Sequence, residues 1–221
     1  QNWNAIDRGI DGLEEVEVLP EWADLEVNEQ IIEAAKPEFI KKIADPINHM
    51  KGNELPVSSI IENGMVDGSF QHGTAHYEKR GIADEVPEWQ PDMCIQCNQC
   101  AYVCPHAVIR PFLLDEEEMK KAPEGMPTIK ALGRGMDGLE YKIQVSPLDC
   151  TGCSACVDVC PAPRGKAIVM KSTQSQIERN EIEYTDYLFN NVSYKDKILG
   201  KNTVKGSQFA KPLFEFSGAC A

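Results

Sequence analysis

The same arrangement of cysteines occurs twice in this chain. From Cys94 the sequence reads CIQCNQCAYVCP, and from Cys150 it reads CTGCSACVDVCP, so both stretches have the spacing C-x-x-C-x-x-C-x-x-x-C-P. Three cysteines at every third residue can surround one compact inorganic core. The fourth lies on the short helix that follows and points in the other direction. A chain with this pattern is constrained to bring its two cysteine stretches together.

This spacing is the one found in bacterial ferredoxins and predicts two [4Fe–4S] clusters, with the fourth cysteine of each stretch ligating the other cluster. Clusters that exchange ligands lie close together, as electron transfer between them requires. The predicted ligands are Cys94, Cys97, Cys100 and Cys160 for cluster one, and Cys150, Cys153, Cys156 and Cys104 for cluster two.

Two other interpretations of these cysteines are weaker. A zinc site uses four ligands, usually as two separated pairs, and needs neither a third cysteine three residues on nor a following proline. A disulfide framework is typical of short secreted chains, and cysteines three residues apart are poorly placed for pairing. No Ser/His/Asp set, phosphate-binding loop or dinucleotide motif is visible, so no catalytic residue is predicted.

Composition limits the partners and the compartment. The net charge of −13 argues against nucleic acid. No apolar run reaches the length of a membrane span, so no membrane contact is expected. The chain starts at Gln1 and shows no apolar leader, which suggests an excised segment of a soluble protein. The nine cysteines indicate a reducing, cytoplasmic setting.

The sequence around the cysteines predicts an α+β fold. Strands are expected within 81–89 and 107–114 around the first stretch, and within 139–146 and 166–172 around the second. Pro111 restricts its strand to an edge or an end of a sheet. The repeated order of strand, cluster loop, short helix and strand indicates a two-[4Fe–4S] ferredoxin-like core with pseudo-twofold symmetry.

Three regions extend this core. We predict an N-terminal arm and helices over 1–73, the cluster domain over 74–171 with an insertion at about 111–139, and a helix and linker over 172–221. Residues 1 to 24 are expected to be extended, and 55–81 irregular. A helix is predicted from Asn28 onward, and Pro37 and Pro46 are expected to cut it into pieces. A second helix is predicted at 115–121, capped by Asp115, and a third at 172–191, capped by a serine. Five lysines within 195–211 indicate a solvated linker or a basic strip for an acidic partner.

Residues between the cysteines are expected to shape the cluster surroundings. Gly152 permits close approach of the backbone, and the hydroxyls of Thr151 and Ser154 are candidates for hydrogen bonds to sulfur. His106 follows a filled ligand set and is expected beside the cluster or at the surface. A dry wall is predicted from Ile95, Tyr102, Val103, Val108, Val157, Val159 and Ile168.

Two longer stretches resemble a known family. HYEKRGIADEVPEWQPDMCIQCNQCAYVCPHAVIRP and KGSQFAKPLFEFSGACA, with the insertion between the cysteine stretches, are similar to the ferredoxin-like segment of pyruvate:ferredoxin oxidoreductase. The resemblance implies two clusters that pass electrons from thiamine diphosphate, Mg and a third, proximal [4Fe–4S] cluster to ferredoxin or flavodoxin. It further implies that pyruvate and coenzyme A bind to other domains, and that the parent enzyme is a homodimer.

The resemblance also gives Cys220 a role, as the first ligand of the proximal cluster, whose other ligands lie beyond Ala221. The segment would transfer electrons without performing carbon chemistry. Two alternatives remain at this point: the cluster domain of another 2-oxoacid oxidoreductase or of a hydrogenase, and a free-standing ferredoxin-type electron carrier.

Overall fold

In the computed structural model, which describes residues 2–9, 11–24, 36–200 and 202–210, each cysteine stretch lies between two strands. This mixture of short helices and antiparallel sheet confirms the predicted α+β class. The strands are β1 (Glu85–Trp89), β2 (Ile109–Leu114), β3 (Ile129–Lys130), β4 (Glu140–Val145) and β5 (Ile168–Ser172). The α-helices are α1 (Asn2–Arg8), α2 (Asp45–Asn48), α3 (Val57–Glu62), α4 (Gln99–Val103), α5 (Glu116–Lys120), α6 (Ala155–Val159), α7 (Thr173–Glu178), α8 (Glu181–Asn191) and α9 (Val204–Ser207).

The strands form two antiparallel sheets. One contains β1 and β5, and the other has the order β2-β4-β3. Trp89 lies opposite Ile168 in the first sheet, and Ile109 lies opposite Val145 in the second. Each of these pairs joins a strand that flanks the first cysteine stretch to one that flanks the second. Strand pairing therefore holds both cysteine stretches against the same core.

Pro111 lies in β2, at the edge of its sheet, as its sequence predicted. A proline has no backbone N–H to donate to a neighbouring strand, so it fits an edge strand, where one side of the backbone needs no partner. The other edge is β3, a two-residue strand within the insertion, where the sequence suggested a loop.

The N-terminal part differs from expectation in two places. The chain divides into the units 1–35 and 36–221. Within the first unit, Asn2–Arg8 is helical and Pro20–Asp24 is a 3-10 helix, so an entirely extended arm was wrong. The helix expected from Asn28 lies outside the described residues up to position 35. Within 55–81, the helix α3 replaces part of the expected irregular chain.

Pro46 does not cut its helix as predicted. A π-helical segment, Ile40–Ala44, runs directly into α2, and the Asp45 backbone N–H donates to the Ile40 carbonyl. A proline inside a helix lacks one N–H and crowds the carbonyl four residues earlier. The wider π-helical turn relieves that crowding, so the helical path continues.

The helix predicted in the insertion is confirmed, with its cap. The Asp115 side chain accepts from the Glu118 N–H at 3.0 Å, while the Glu118 side chain accepts from the Asp115 N–H at 2.9 Å. This reciprocal capping box satisfies two N–H groups that the first turn leaves without partners. Lys195 donates to Glu118 at 2.7 Å and to Asp115 at 3.1 Å, so this lysine belongs to a half-buried ion-pair network and not to a solvated linker.

The C-terminal helix is capped as predicted but is divided in two. Ser172 accepts from the Ser175 N–H and starts α7. Asn180, with φ of 63°, ends it and precedes α8. Asparagine tolerates this left-handed conformation better than most residues. On α8, Tyr184 and Leu188 pack with Leu114 and Met126 in a small cluster.

The main core surrounds the cysteine stretches. It combines the inner faces of both sheets with residues of α4, including Val86, Ala101, Ile143 and Ile168. Each of these is at most 5% exposed. Among the described residues, no helix is long and apolar enough to cross a bilayer.

Candidate iron–sulfur centres

Two cavities lie within this core, and four cysteines line each of them. Cavity one is lined by Cys94, Cys97, Cys100 and Cys160. Cavity two is lined by Cys104, Cys150, Cys153 and Cys156. The structure thus brings together three cysteines of one stretch with the last cysteine of the other stretch in both places.

Among the described residues, no group of three or more His, Cys, Asp or Glu side chains has the arrangement that holds a single metal ion. Seven of the eight cysteines are buried or half-buried, and Cys153 is exposed.

The two cysteine loops have matching backbone conformations. Gln96 and Gly152 occupy the same position in their loops and have φ of 56° and 70°; Asn98 and Ser154 form a second matching pair, with φ of 61° and 63°. These left-handed residues reverse the chain so that backbone N–H groups face inward, an arrangement that favours anions. The Gln96 N–H lies 3.4 Å from the Cys94 sulfur, and the Gly152 N–H lies 3.4 Å from the Cys150 sulfur.

The short helices explain how each fourth cysteine reaches the other cavity. Helices α4 and α6 pack against each other and carry Cys100 and Cys156. Cys104 and Cys160 follow the ends of these helices with nearly identical extended conformations, at φ, ψ of −65°, 116° and −64°, 116°. The extended residue directs each sulfur away from its own loop. The Ala167 N–H lies 3.3 Å from the Cys160 sulfur.

The electrostatics of the thiols favour a positively charged occupant. Burial raises the pKa of Cys94, Cys100, Cys150 and Cys156, and neighbouring cysteines in the same cavity raise it further. For Cys156 the pKa rises to about 12. Four thiolates therefore cannot share such a cavity without positive charge between them. Iron, which binds the thiolate form, supplies that charge.

Gly152 is required at its position by close backbone packing. A Cβ there would lie 3.0 Å from the Glu85 carbonyl oxygen and 3.2 Å from the Ala83 Cβ. The chain that packs against Gly152 belongs to the start of β1, and the predicted approach of the Gly152 backbone to a cluster stays a prediction. Gln96, its counterpart in the first loop, has room for a full side chain.

The first cysteine loop makes polar contacts with distant segments that the sequence did not indicate. The Gln96 side chain, 1% exposed, donates to the Lys130 carbonyl at 2.7 Å and accepts from the Leu132 N–H at 2.8 Å. The insertion is thereby attached to the first cysteine loop. Asn98 donates to the Lys205 carbonyl at 3.3 Å and accepts from the Tyr141 hydroxyl at 2.6 Å. A glutamine and an asparagine between cysteines were the only sequence signals for these contacts.

The predicted dry wall is only partly correct. Val108 and Ile168 are buried beside cavities two and one. Ile95 lines cavity one but is 46% exposed, and Tyr102 on α4 is 65% exposed. His106 lines cavity two, and its Nδ1 atom is buried without a hydrogen-bond partner in the described part of the chain. Cys220 lies outside the described residues.

Comparison with known proteins agrees with the cysteine chemistry. A family model described as "4Fe-4S dicluster domain" matches residues 93–165. A second family model, described as a domain of unknown function, matches residues 26–83. The chain is 48% identical over 221 residues to the pyruvate:ferredoxin oxidoreductase of Moorella thermoacetica, covering 100% of this chain and 18% of that protein.

Two further relatives show the same relation. The pyruvate-flavodoxin oxidoreductase of Klebsiella pneumoniae is 49% identical over 220 residues, which are 100% of this chain and 18% of that protein. The pyruvate dehydrogenase [NADP(+)] of Cryptosporidium parvum is 42% identical over 246 residues, covering 99% of this chain and 12% of that protein. The chain thus spans less than a fifth of the length of these relatives. The suspected resemblance to pyruvate:ferredoxin oxidoreductase is confirmed over the whole chain.

Proposed function

We propose that this chain is the electron-transfer segment of a pyruvate:ferredoxin or pyruvate:flavodoxin oxidoreductase, with one [4Fe–4S] cluster in each of the two cavities. The observation that carries the proposal is the lining of the cavities, each with three cysteines of one stretch and the fourth from the other. We assign cluster one to Cys94, Cys97, Cys100 and Cys160, and cluster two to Cys150, Cys153, Cys156 and Cys104.

The residues present fit such a group. Four thiols are the ligands that a [4Fe–4S] cluster takes, and backbone N–H groups lie within 3.4 Å of the Cys94 and Cys150 sulfurs. The matched loops and strands support a pseudo-twofold ferredoxin-like core. We retain 1–73, 74–171 and 172–221 as proposed domain limits.

The chain supplies position and surroundings for electron transfer. When bound, each cluster accepts and releases one electron at a time. The exchange of the fourth cysteine between cavities holds the two sites at a short, constant separation. The buried wall around Val108 and Ile168 excludes water and so limits the reorganisation that charge movement would cause.

We further propose that electrons reach this segment from thiamine diphosphate with Mg and a proximal [4Fe–4S] cluster in the rest of the parent enzyme, a homodimer. Cys220 would be the first ligand of that proximal cluster. Pyruvate and coenzyme A would bind outside this segment, and ferredoxin or flavodoxin would accept the electrons. The overall reaction converts pyruvate, coenzyme A and oxidised acceptor to acetyl-CoA, CO₂ and reduced acceptor. A reducing, cytoplasmic setting suits the thiols of this chain.

One comparison favours a second candidate for the final acceptor. The Cryptosporidium parvum relative, 42% identical, is named for NADP(+). In a parent enzyme that reduces NADP(+), the same segment would carry the electrons toward that acceptor. The two versions are separated by assaying the full-length enzyme with pyruvate, coenzyme A and each acceptor in turn.

The cluster proposal is tested on the chain itself, prepared without oxygen. Iron and acid-labile sulfide should each amount to about eight atoms per chain. Dithionite reduction should produce an EPR spectrum of two interacting spins. A preparation that binds zinc in place of iron, or about four iron atoms in a single cluster, would contradict the proposal.

A further inference from the structure

The indole of Trp89 has a buried N–H that faces cavity one. Trp89 is 7% exposed and lines that cavity together with Cys94. Its Nε1 atom has no hydrogen bond of ordinary geometry within the described part of the chain. Buried donors without an acceptor are rare in folded proteins because they lose their hydrogen bond to water.

The sulfur of Cys94, which lines the same cavity, is an acceptor of suitable chemistry. The Gln96 N–H already lies 3.4 Å from this sulfur. A thiolate bound to iron carries negative charge and is a better acceptor than a neutral thiol.

The ring of Trp89 is held in place from two sides. Tyr141 contacts it edge-on, with 6.1 Å between ring centroids, and the Tyr141 hydroxyl is itself bonded to Asn98 at 2.6 Å. The ammonium of Lys142 lies 5.6 Å from the Trp89 ring centroid and 5.3 Å from that of Tyr184. Lys142 is 1% exposed, which is unusual for a lysine.

Lys142 and the Trp89 indole both favour added negative charge at cavity one. A cation over an aromatic face draws electron density toward itself, so it strengthens the indole N–H as a donor. Its own positive charge, in a buried setting, also favours added negative charge nearby. Both effects stabilise the reduced form of a cluster, which carries one more negative charge.

Cavity two lacks this pair. The residue five positions before Cys150 is Val145, whereas Trp89 stands five positions before Cys94. Within the described part of the chain, the lining of cavity two includes no tryptophan. The two cavities therefore differ in the side chains that line them, although their loops have the same backbone conformation.

We propose that Trp89, with Lys142 behind its ring, donates its indole N–H to the Cys94 sulfur and raises the reduction potential of cluster one selectively. Hydrogen bonds to cluster sulfurs are one of the factors that set such potentials. This inference rests on the proposed function, because it needs a cluster in cavity one. Trp89 is a positioning and tuning residue and not an iron ligand.

The first test is an EPR-monitored redox titration of the full chain, prepared anaerobically, with Trp89→Phe, which removes the N–H and keeps a ring. One of the two midpoint potentials should fall by about 59 mV, which corresponds to a tenfold lower ratio of reduced to oxidised cluster at a fixed potential. Lys142→Met should lower the same midpoint. Trp22→Phe and Lys171→Met, at exposed positions, are the matched controls and should change neither. Unchanged midpoints in a fully loaded Trp89→Phe protein would overturn the inference.

A second measurement does not depend on the folding of the variant. With ¹⁵N-indole tryptophan incorporated, pulsed EPR of the reduced native protein should detect hyperfine coupling to one indole nitrogen, and Trp22→Phe should retain it. A protein with about eight iron atoms but no indole coupling would overturn the role of Trp89 alone. A protein that binds no iron would instead contradict the proposed function.

Discussion

Cys160, at the end of the second cysteine stretch, lines the same cavity as Cys94, at the start of the first. Cys104 lies in the other cavity beside Cys150. The last cysteine of each stretch is thus grouped with the loop from which it is more distant in sequence. This grouping predicts how many clusters are lost when two cysteines are replaced together.

We expect Cys94→Ser combined with Cys160→Ser to affect one cluster, and Cys150→Ser combined with Cys160→Ser to affect both. A serine oxygen is a poorer ligand for iron in such a cluster than a thiolate. Iron analysis after anaerobic purification should therefore give about four iron atoms per chain for the first pair and far fewer for the second.

The reciprocal pair is the control for this prediction. Cys150→Ser combined with Cys104→Ser should again retain about four iron atoms. If Cys150→Ser with Cys160→Ser kept about four iron atoms while Cys150→Ser with Cys104→Ser kept far fewer, the fourth cysteine would ligate within its own stretch, and the crossed assignment would be wrong.

A side chain at Gly152 should disturb cluster two. Gly152→Ala combines a positive φ of 70° with a Cβ only 3.0 Å from the Glu85 oxygen. The left-handed conformation alone costs about 1–2 kcal/mol for a residue with a Cβ. The contact adds to that cost, so the thermal midpoint should fall, with loss of iron from one cluster.

Gly68→Ala separates the cost of the left-handed backbone conformation from the cost of the contact with the Glu85 oxygen. Gly68 has a φ of 83°, and a Cβ added to it would have no neighbouring atom within 4 Å. This variant should show the conformational cost without the contact and should keep its full iron content. Equal losses of stability and iron in both variants would show that the Glu85 carbonyl moves aside.

The Gln96 side chain should hold the insertion against the first cysteine loop. Gln96→Asn keeps a residue that tolerates the left-handed conformation but is too short to bond both Lys130 and Leu132. A buried group left without its partner costs about 1–3 kcal/mol. Hydrogen exchange of the Leu132 amide should become faster, while the amides of β4 should keep their protection.

Gln174→Asn is the matched control, because Gln174 is exposed and donates to Glu178 on the surface of α7. It should leave exchange within the insertion unchanged. Unaltered exchange at Leu132 in Gln96→Asn would mean that strand pairing alone holds the insertion in place.

Lys195 should stabilise the insertion through Asp115 and Glu118. The Lys195 and Glu118 side chains are both 12% exposed, and removal of a partner from a buried pair is costly. Allowing for partial exposure, Lys195→Met should cost about 2 kcal/mol, which lowers the midpoint of a chain of this size by about 4–8 °C. Lys120→Met, which removes only exposed pairs, should change it by about 1 °C or less.

The ion pairs of Lys195 with Asp115 and Glu118 also predict how the loss of stability in Lys195→Met depends on pH. The Glu118 N–H and Lys195 hold the pKa of Asp115 below its usual range. Burial acts to raise the pKa of Glu118, but hydrogen bonds from Lys195, Ser193 and the Asp115 N–H outweigh it, and this pKa too is lowered. Stabilisation by a carboxyl with a lowered folded-state pKa is present above the unfolded value of about 4 and is lost as the pH falls through the folded value.

The loss of stability caused by Lys195→Met should therefore stay constant between about pH 6 and pH 8, where the Asp115 and Glu118 carboxyls remain ionised. Thermal unfolding of anaerobic protein, followed by circular dichroism across this range, checks the expectation. If the loss of stability changed steeply between about pH 6 and pH 8, a titrating group other than Asp115 and Glu118 would be responsible for it.

The elements that were predicted correctly have local causes. The cap at Asp115 depends on a carboxylate three residues before Glu118, and the edge position of Pro111 depends on its missing N–H. The strands that flank the cysteines follow from short apolar runs bounded by turns. The prediction that Pro46 interrupts its helix was wrong. A proline can be accommodated either by a break in the helix or by a π-helical turn, and the sequence does not distinguish the two.

The sequence by itself determined which cysteines are available as ligands, because metal-ligand chemistry depends on residue type and on a spacing of a few residues. Only the tertiary structure decided what surrounds them. Gln96 bonds to Leu132, and the Lys142 ammonium lies over the Trp89 ring, through contacts between segments that are distant in the chain. Such contacts depend on how the sheets and the insertion pack, and no local pattern encodes them. The two cysteine stretches have the same spacing, but the fold lines their cavities with different side chains.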